Sequence, residues 1–257
     1  MPYSALKAEP RDIVYLYDGS LAGLYCCVHE SITKRELPFA VLSEGENQVS
    51  LFFKTRIDTE LQKAKKVRTA IFEKICARAL ELCENVFLSC LENKELAILR
   101  FLLLAFAKGT PALDMLSHPD VAPLIQAERH LLGERHLLLG FVRFSDNDGV
   151  LAAVISPKNF VLPLIADHFI GRYSSENFMI YDKTHRAALI YQNHTAEIVP
   201  VENAEFQDVS PAEEQYRALW KRFYQTIAIA DRYNPVCRRT HMPKRYWENM
   251  TEMKELL

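Results

Sequence analysis

Ser145-Asp146-Asn147-Asp148-Gly149-Val150-Leu151-Ala152-Ala153-Val154-Ile155-Ser156-Pro157 is the stretch on which the fold class turns. Five turn-forming residues ending in glycine stand before an apolar, β-prone run that a proline closes. Residues 137–144, on its N-terminal side, form another apolar run, so the two read as the arms of a hairpin. On the other side, residues 160–173 read as a helix. Residues 177–181 and 187–191 then read as a second hairpin turning at 182–186, with a further strand over 196–201. The resulting β-β-α-β-β order predicts an α+β fold, in which an antiparallel sheet built from two hairpins carries helices on one face.

Working back toward the N-terminus, residues 13–17 read as a strand ended by Asp18-Gly19-Ser20, a turn into a helix capped by Asp18 or Ser20. Leu21, Leu24, Val28 and Ile32 give that helix its spacing. A lone glycine without the GxxxxGK pattern makes a poor phosphate loop, so the turn-and-cap reading is preferred. A second strand is expected over 50–54. Thr59 and Gln62 then form a capping-box pattern opening a long helix in the N-terminal half, with Leu61, Ala64, Val67, Ile71, Ile75, Ala79, Leu82 and Val86 on its inner stripe. Lys63, Lys65, Lys66 and Arg68 make a basic spot near its start, either a solvated face or a phosphate contact. A buried helix over 96–106 stops near Gly109, and Pro111, Pro119 and Pro123 punctuate the region beyond.

Toward the C-terminus, Ser210-Pro211-Ala212-Glu213 combines a cap, a proline at the first helical position and a glutamate three residues after the cap. The C-terminal helix it opens has Ala212, Tyr216, Leu219, Phe223, Ile227 and Ala230 as its expected inner stripe, and Asn234-Pro235 is expected to end it. A last short helix is expected over 245–250. Without an internal repeat or a linker-like tract, the chain reads as a single compact α+β domain over 1–257. Within it, a helical half (1–130) would pack on a sheet-containing half (131–257).

With 49% hydrophobic and 25% charged residues and a formal charge of −2 over 257 residues, the composition is that of a globular protein with no overall attraction to phosphate. The apolar run 96–107 is broken by Arg100 and falls short of the roughly 20 residues of a membrane helix. Lys7, Glu9, Arg11 and Asp12 leave no room for an apolar leader, so a cytoplasmic location with no membrane contact is expected. Cys26, Cys27, Cys76, Cys83, Cys90 and Cys237 contain no CxxC pair and no zinc spacing, so no metal or cofactor is expected. Cys76, Cys83 and Cys90, spaced by sevens, are expected near one helical stripe as small apolar side chains.

Charge is segregated. Between residues 217 and 247 stand eight basic residues (Arg217, Lys221, Arg222, Arg232, Arg238, Arg239, Lys244 and Arg245) against Asp231 alone, so this segment is +7 and the remainder −9. Tyr224, Tyr233, Tyr246 and Trp247 interleave with the cations, and His241 lies among them. Cations neutralise phosphates and rings stack on unpaired bases, which suits single-stranded or distorted nucleic acid. The same residues could instead be core anchors and internal ion pairs, or a docking surface for an acidic protein. A second set is His168 and Arg172, four apart on one helical face, with Tyr173 and Asp182. These residues could supply an acid-base group, an anion holder and an orienter, or a salt-bridged corner between helix and sheet. Glu128-Arg129-His130 and Glu134-Arg135-His136 lack the HExxH spacing and read as charged flanks.

Tyr17-Asp18-Gly19-Ser20, Gly23-Leu24, Leu139-Gly140-Phe141-Val142-Arg143-Phe144, Leu162-Pro163, His168-Phe169, Arg172-Tyr173 and Ile180-Tyr181-Asp182 with Arg186 resemble a bacterial family of DNA metabolism proteins. The most specific part is Trp220, Tyr224, Ile229, Arg232, Asn234-Pro235, His241-Met242-Pro243 and Tyr246-Trp247, in the family's order. Phe178 stands where the family pattern has Trp, and Arg238 where it has Gln. The family is a domain of unknown function whose genes accompany a radical-SAM protein, and related domains occur fused to uracil-DNA glycosylases. The resemblance implies a DNA repair or modification role with DNA and a radical-SAM protein as partners. The CxxxCxxC cluster of that partner does not occur in this chain. The residues expected to contact nucleic acid are Arg222, Arg232, Arg238, Arg239, His241, Lys244, Arg245, Tyr246 and Trp247. The alternatives are a glycosylase-like or nuclease-like enzyme acting through His168, Arg172 and Asp182, and an assembly subunit without nucleic-acid contact.

Overall fold

The computed structural model describes residues 8–45, 52–147, 149–202 and 210–253. It is a mixed structure of helices and sheets, and it divides into two compact units, Met1–Leu131 and Leu132–Leu257.

The first unit begins with β1 (Glu9–Tyr17), α1 (Leu21–Lys34), β2 (Glu36–Ser43) and β3 (Phe53–Arg56). The three strands form a parallel sheet in the order β2-β1-β3, so α1 is the crossover between two parallel strands. The sequence analysis assigned no element to the residues of β2. Pro38 sits where the register with β1 shifts, on an edge strand, the place where a missing N–H is tolerated. Of the strand expected over 50–54, residues 50 and 51 lie outside the described residues, and β3 runs on to Arg56. The turn before α1 is a cap. Ser20 Oγ accepts from Gly23 N at 2.9 Å, while Asp18 Oδ1 accepts from Ser20 N at 2.9 Å and Ser20 Oγ at 2.7 Å. Burial alone would raise the Asp18 carboxyl, but these donors outweigh it and hold it below the usual carboxylate range. An ionised carboxylate at this helix mouth repels phosphate.

Helix α2 (Leu61–Lys74) packs on α1, α3 (Ala77–Leu88) lies against α2, α4 (Lys94–Lys108) packs on β2, α1 and α3, and α5 (Ala122–Phe141) follows a 3-10 turn at Thr110–Asp114. The single long helix expected over 59–86 is thus two helices. Ile75 N and Cys76 N both reach back to Ile71 O, and the freed Ile75 carbonyl accepts from Thr110 Oγ1 at 2.6 Å, 35 residues on. The expected capping box is absent too, since Glu60 precedes α2 and gives no side-chain cap. Of the three cysteines expected near one helical stripe, Cys83 is buried within α3, whereas Cys76 stands before its first residue and Cys90 is exposed beyond its end. Arg78 and Asn85 of α3 converge on Glu128 of α5, with Arg78 Nη1 at 2.6 Å and Asn85 Nδ2 at 2.9 Å from Oε1. Glu128 is therefore buried and paired, not a charged flank.

The second unit holds a five-stranded sheet in sequence order: β4 (Ser145–Asn147), β5 (Val150–Ile155), β6 (Asn177–Asp182), β7 (Ala187–Gln192) and β8 (Thr195–Pro200). Two features differ from the sequence expectation. Residues 137–141 continue α5, so the first arm of the hairpin is only the three residues of β4. An apolar run of this length fits a buried helix as well as a strand, and the preceding turns of α5 settle it. The sheet is also not wholly antiparallel, since β5 and β6 pair in parallel from Val150↔Asn177 to Ile155↔Asp182. Helix α6 (Leu162–Arg172) lies between them and supplies the crossover that a parallel pair requires. The other neighbours are antiparallel, and Asn193 and His194, both at positive φ, turn β7 into β8.

Helix α7 (Pro211–Ile227) is capped by Ser210, whose Oγ accepts from Glu213 N at 3.2 Å. Its expected inner stripe is not inside: Tyr216 is 69%, Leu219 60%, Phe223 52% and Ile227 57% exposed. Asn234-Pro235 does not end this helix. It starts α8 (Pro235–His241), where Asn234 Oδ1 accepts from Cys237 N at 2.9 Å. A 3-10 turn at Lys244–Asn249 follows.

A test of the first turn uses Gly23, where an added Cβ would strike Asp18 Oδ1 and stand 2.8 Å from Thr59 Oγ1 and 2.9 Å from the Tyr17 ring. Gly23→Ala is expected to destabilise the protein by about 1–3 kcal/mol, read as a lower urea midpoint. An unchanged midpoint would refute that packing.

Candidate nucleic-acid interface

The C-terminal basic segment is fixed in place by a buried carboxylate. Glu134, in α5, accepts from Lys158 N at 3.1 Å, Asn159 N at 2.8 Å and Asn159 Nδ2 at 2.6 Å. Tyr246 Oη at 2.7 Å and Arg245 Nη2 at 2.9 Å complete its surroundings. Burial, the largest single influence, would raise the Glu134 carboxyl, but the backbone and side-chain donors together hold it below the usual range. The Tyr246 hydroxyl moves the other way, pushed up to about 12 by burial and by the hydrogen bond to Glu134, against the lowering effect of Arg245. Glu134 is thus an interior anchor and not the charged flank that its sequence context suggested.

That anchor divides the expected contact residues into two kinds. Tyr246 and Trp247 are each 2% exposed and belong to the core, with Trp247 Nε1 donating to Met242 O at 2.9 Å. Arg245 is engaged by Glu134. Above them, Arg238 lies 5.3 Å from both the Tyr233 and Trp247 ring centroids, and Lys244 lies 5.6 Å from Trp247. Arg238 Nε is buried without an acceptor. Arg239 donates to Pro235 O, and His241 Nδ1 lies 2.9 Å from Cys237 O. Arg222 and Arg232 are exposed, and neither side chain has a hydrogen-bond or ion-pair partner among the described residues. Alongside them Tyr216, Trp220, Phe223 and Tyr233 present exposed rings, 40–69% accessible. Sequence reading missed Tyr216, Trp220 and Phe223 as surface rings, because an amphipathic pattern shows that a helix has an apolar face without showing what covers it.

A cleft of about 580 Å³ opens where the end of α5, the end of α6 and the first turns of α7 meet. Arg143 stands in its wall, donating to Glu252 at 2.7 Å and lying 5.5 Å from the Trp220 ring centroid. Burial would raise the Glu252 carboxyl, but the hydrogen bonds and charge of Arg143 help hold it below the usual range. Arg217 donates to Glu213 at 2.8 Å and to Ser145 Oγ at 2.7 Å, which ties α7 to the β4 edge.

His168, Arg172 and Asp182 do not share a hydrogen bond among the described residues. Arg172 precedes the start of β6 and Asp182 ends it, and a strand of 6 residues separates its ends by ~17 Å. His168 is exposed, with its ring edge-on to Phe169. Asp182 is fully buried and pairs with His185, Oδ2 to Nδ1 2.7 Å, while Oδ1 accepts from Thr184 N and His185 N. His185 is the partner that sequence reading missed; its signal was its position three residues after an aspartate in a hairpin turn. On α2, Lys63 pairs with Glu60 and Arg68 with Glu84, so only part of the basic spot faces solvent unpaired. Among the described residues no group of three or more His, Cys, Asp or Glu could hold a metal, and no helix is long and apolar enough to cross a membrane.

Removing the anchor should loosen the whole segment. Glu134→Ala strands Arg245 and the Lys158 and Asn159 amides, with an expected loss of about 3–5 kcal/mol at pH 7. Because the folded carboxyl lies below its unfolded value, its contribution is complete above the unfolded value of about 4.3 and is lost as pH falls toward the folded one. Urea titrations of the wild type and Glu134→Gln should therefore converge as the pH is lowered through that window. A pH-independent gap would contradict the ionised hub.

A family model described as a domain of unknown function, DUF4130, matches residues 92–252. No curated protein matches the chain.

Proposed function

Starting from the premise that this chain belongs to the DUF4130 domain family, we propose that it is a DNA metabolism protein that grips single-stranded or distorted nucleic acid. In this role it serves as an accessory to a radical-SAM partner in repair or modification. The observation that carries the reading is the surface of α7 and the segment beyond it. The exposed rings Tyr216, Trp220, Phe223 and Tyr233 alternate with Arg222, Arg232, Arg239 and Lys244, none of which is neutralised by a carboxylate among the described residues. Stacking platforms flanked by unpaired cations are how proteins hold a strand without reading its sequence. Arg245, Tyr246 and Trp247 act beneath that surface as its support, since Glu134 and the core hold them. The radical-SAM partner rests on the resemblance and on nothing in the fold.

The pairing of buried Asp182 with the half-buried His185 favours a second reading, a nucleic-acid-processing enzyme. In it Asp182 orients the imidazole through Nδ1 and leaves Nε2 for proton transfer. That reading requires turnover that His185→Ala abolishes while folding is retained.

Fluorescence anisotropy of labelled single-stranded, duplex and uracil-containing DNA and of RNA, at several salt concentrations, tests the first reading. Single strands should bind most tightly, with a log–log salt slope that drops by ~0.7 for each phosphate contact removed by Arg222→Ala or Arg232→Ala. Tyr233→Ala should weaken binding ~5- to 100-fold. Absence of binding at low salt would overturn the reading in favour of a protein-docking surface.

A further inference from the structure

We infer that the cleft beside Trp220 seats one unstacked nucleotide, its base against the Trp220 and Tyr173 rings and its phosphate on Arg172. This inference rests on the nucleic-acid reading of α7 and names the unit of the strand that the second unit of the fold takes in.

Size comes first. A cleft of about 580 Å³ is in the range of small-molecule sites and admits a nucleotide. A stacked, paired base does not fit such a site, so a strand enters it only where a base is already unpaired or has been swung out.

Charge is the second observation. Three guanidinium groups line the cleft, and two are neutralised from within: Arg143 by Glu252, and Arg217 by Glu213. Arg172 is exposed and has no carboxylate or hydrogen-bond partner among the described residues, its guanidinium lying 5.8 Å from the Tyr173 ring centroid. One uncompensated cation matches the single charge of one phosphodiester. A site for a free multivalent anion would need more than this one cation.

The third observation is the rigidity of the rings. Trp220 is held by the Arg143 guanidinium at 5.5 Å and by the Phe223 ring at 5.7 Å, yet remains 40% exposed. Tyr173 is packed edge-on against Phe144 at 5.0 Å and lies parallel to Phe169 at 6.5 Å. Both rings are therefore ordered before a ligand arrives, which lowers the entropic cost of stacking a base on them. Arg143 also donates to the Gly140 and Val142 carbonyls, so acceptors that could read a base edge on that wall are already engaged. Recognition is through ring faces, which makes the site tolerant of base identity and favours purines by their larger stacking area.

The test uses the full chain with the 5′-methyl phosphodiester of 2′-deoxyadenosine as the nucleotide, deoxyadenosine and inorganic phosphate as probes, followed by calorimetry and tryptophan fluorescence. The nucleotide should bind and quench fluorescence. Trp220→Phe should remove the quench while retaining measurable heat, because the other tryptophan, Trp247, is buried. Arg172→Ala, at an exposed position, should weaken the nucleotide roughly ten-fold and leave the nucleoside unchanged. Inorganic phosphate binding as tightly as the nucleotide would overturn the inference, as would a quench that persists in Trp220→Phe or a nucleotide affinity indifferent to Arg172→Ala. Strand binding without nucleotide binding overturns the inference and leaves the α7 reading standing. Nucleotide binding without strand binding supports the cleft and overturns that reading.

Discussion

Glu134 carries a charge into the interior of the second unit, where five donors surround it: the Lys158 and Asn159 amides, the Asn159 side chain, Tyr246 and Arg245. An unpaired carboxylate there would cost several kcal/mol, so the donors and the acid hold one another in place. The loop after β5 and the 3-10 turn near the C-terminus are thereby tied to the same point on α5. With Tyr246 and Trp247 fixed in the core, the cations before them in sequence are left above it, stacked on ring faces or open to solvent. The basic surface is a consequence of where its own chain is anchored. Glu128 plays the matching part in the first unit, with Arg78 and Asn85 as its partners.

Local chemistry was legible wherever a local signal decides the structure. The cap at Ser20, the helix start at Ser210-Pro211 and the strands β5 to β8 follow from composition and turn residues close at hand. What escaped were features set by distant partners. The break at Ile75 is stabilised by Thr110, and the burial of Glu134 by donors up to 112 residues away, neither of which periodicity can reveal. The parallel pairing of β5 and β6 escaped because two hairpin signals flanking a helix suggest an antiparallel sheet, although the helix between them is a crossover. Of the candidate site, the basic character of residues 217–247 was visible in sequence, but the division into buried anchors and exposed contacts was not. Tyr246 and Trp247 carry the same composition signal as Tyr233 and differ only in burial.

The segregation of charge takes on physical meaning in this arrangement. Arg217 and Arg245 are matched to buried carboxylates and contribute to folding, whereas Arg222 and Arg232 have no such partner among the described residues. An exposed apolar face along one helix is costly to keep in water unless something covers it, and α7 keeps five large side chains there: Tyr216, Leu219, Trp220, Phe223 and Ile227. A strand whose bases stack on those rings while its phosphates meet the cations covers both at once. The Asp182–His185 pair lies at the C-terminal end of the parallel strand β6, apart from this surface in sequence.

The most direct measurement of the central claim is photocrosslinking of a 4-thiothymidine-substituted single-stranded oligonucleotide to the full chain, with the attached peptides identified by mass spectrometry. The account predicts crosslinks at Tyr216, Trp220, Phe223 and Tyr233, suppressed by high salt, and none at the buried Tyr246 or Trp247. Crosslinks confined to the Lys65 and Lys66 face of α2, or none at any salt concentration, would contradict it.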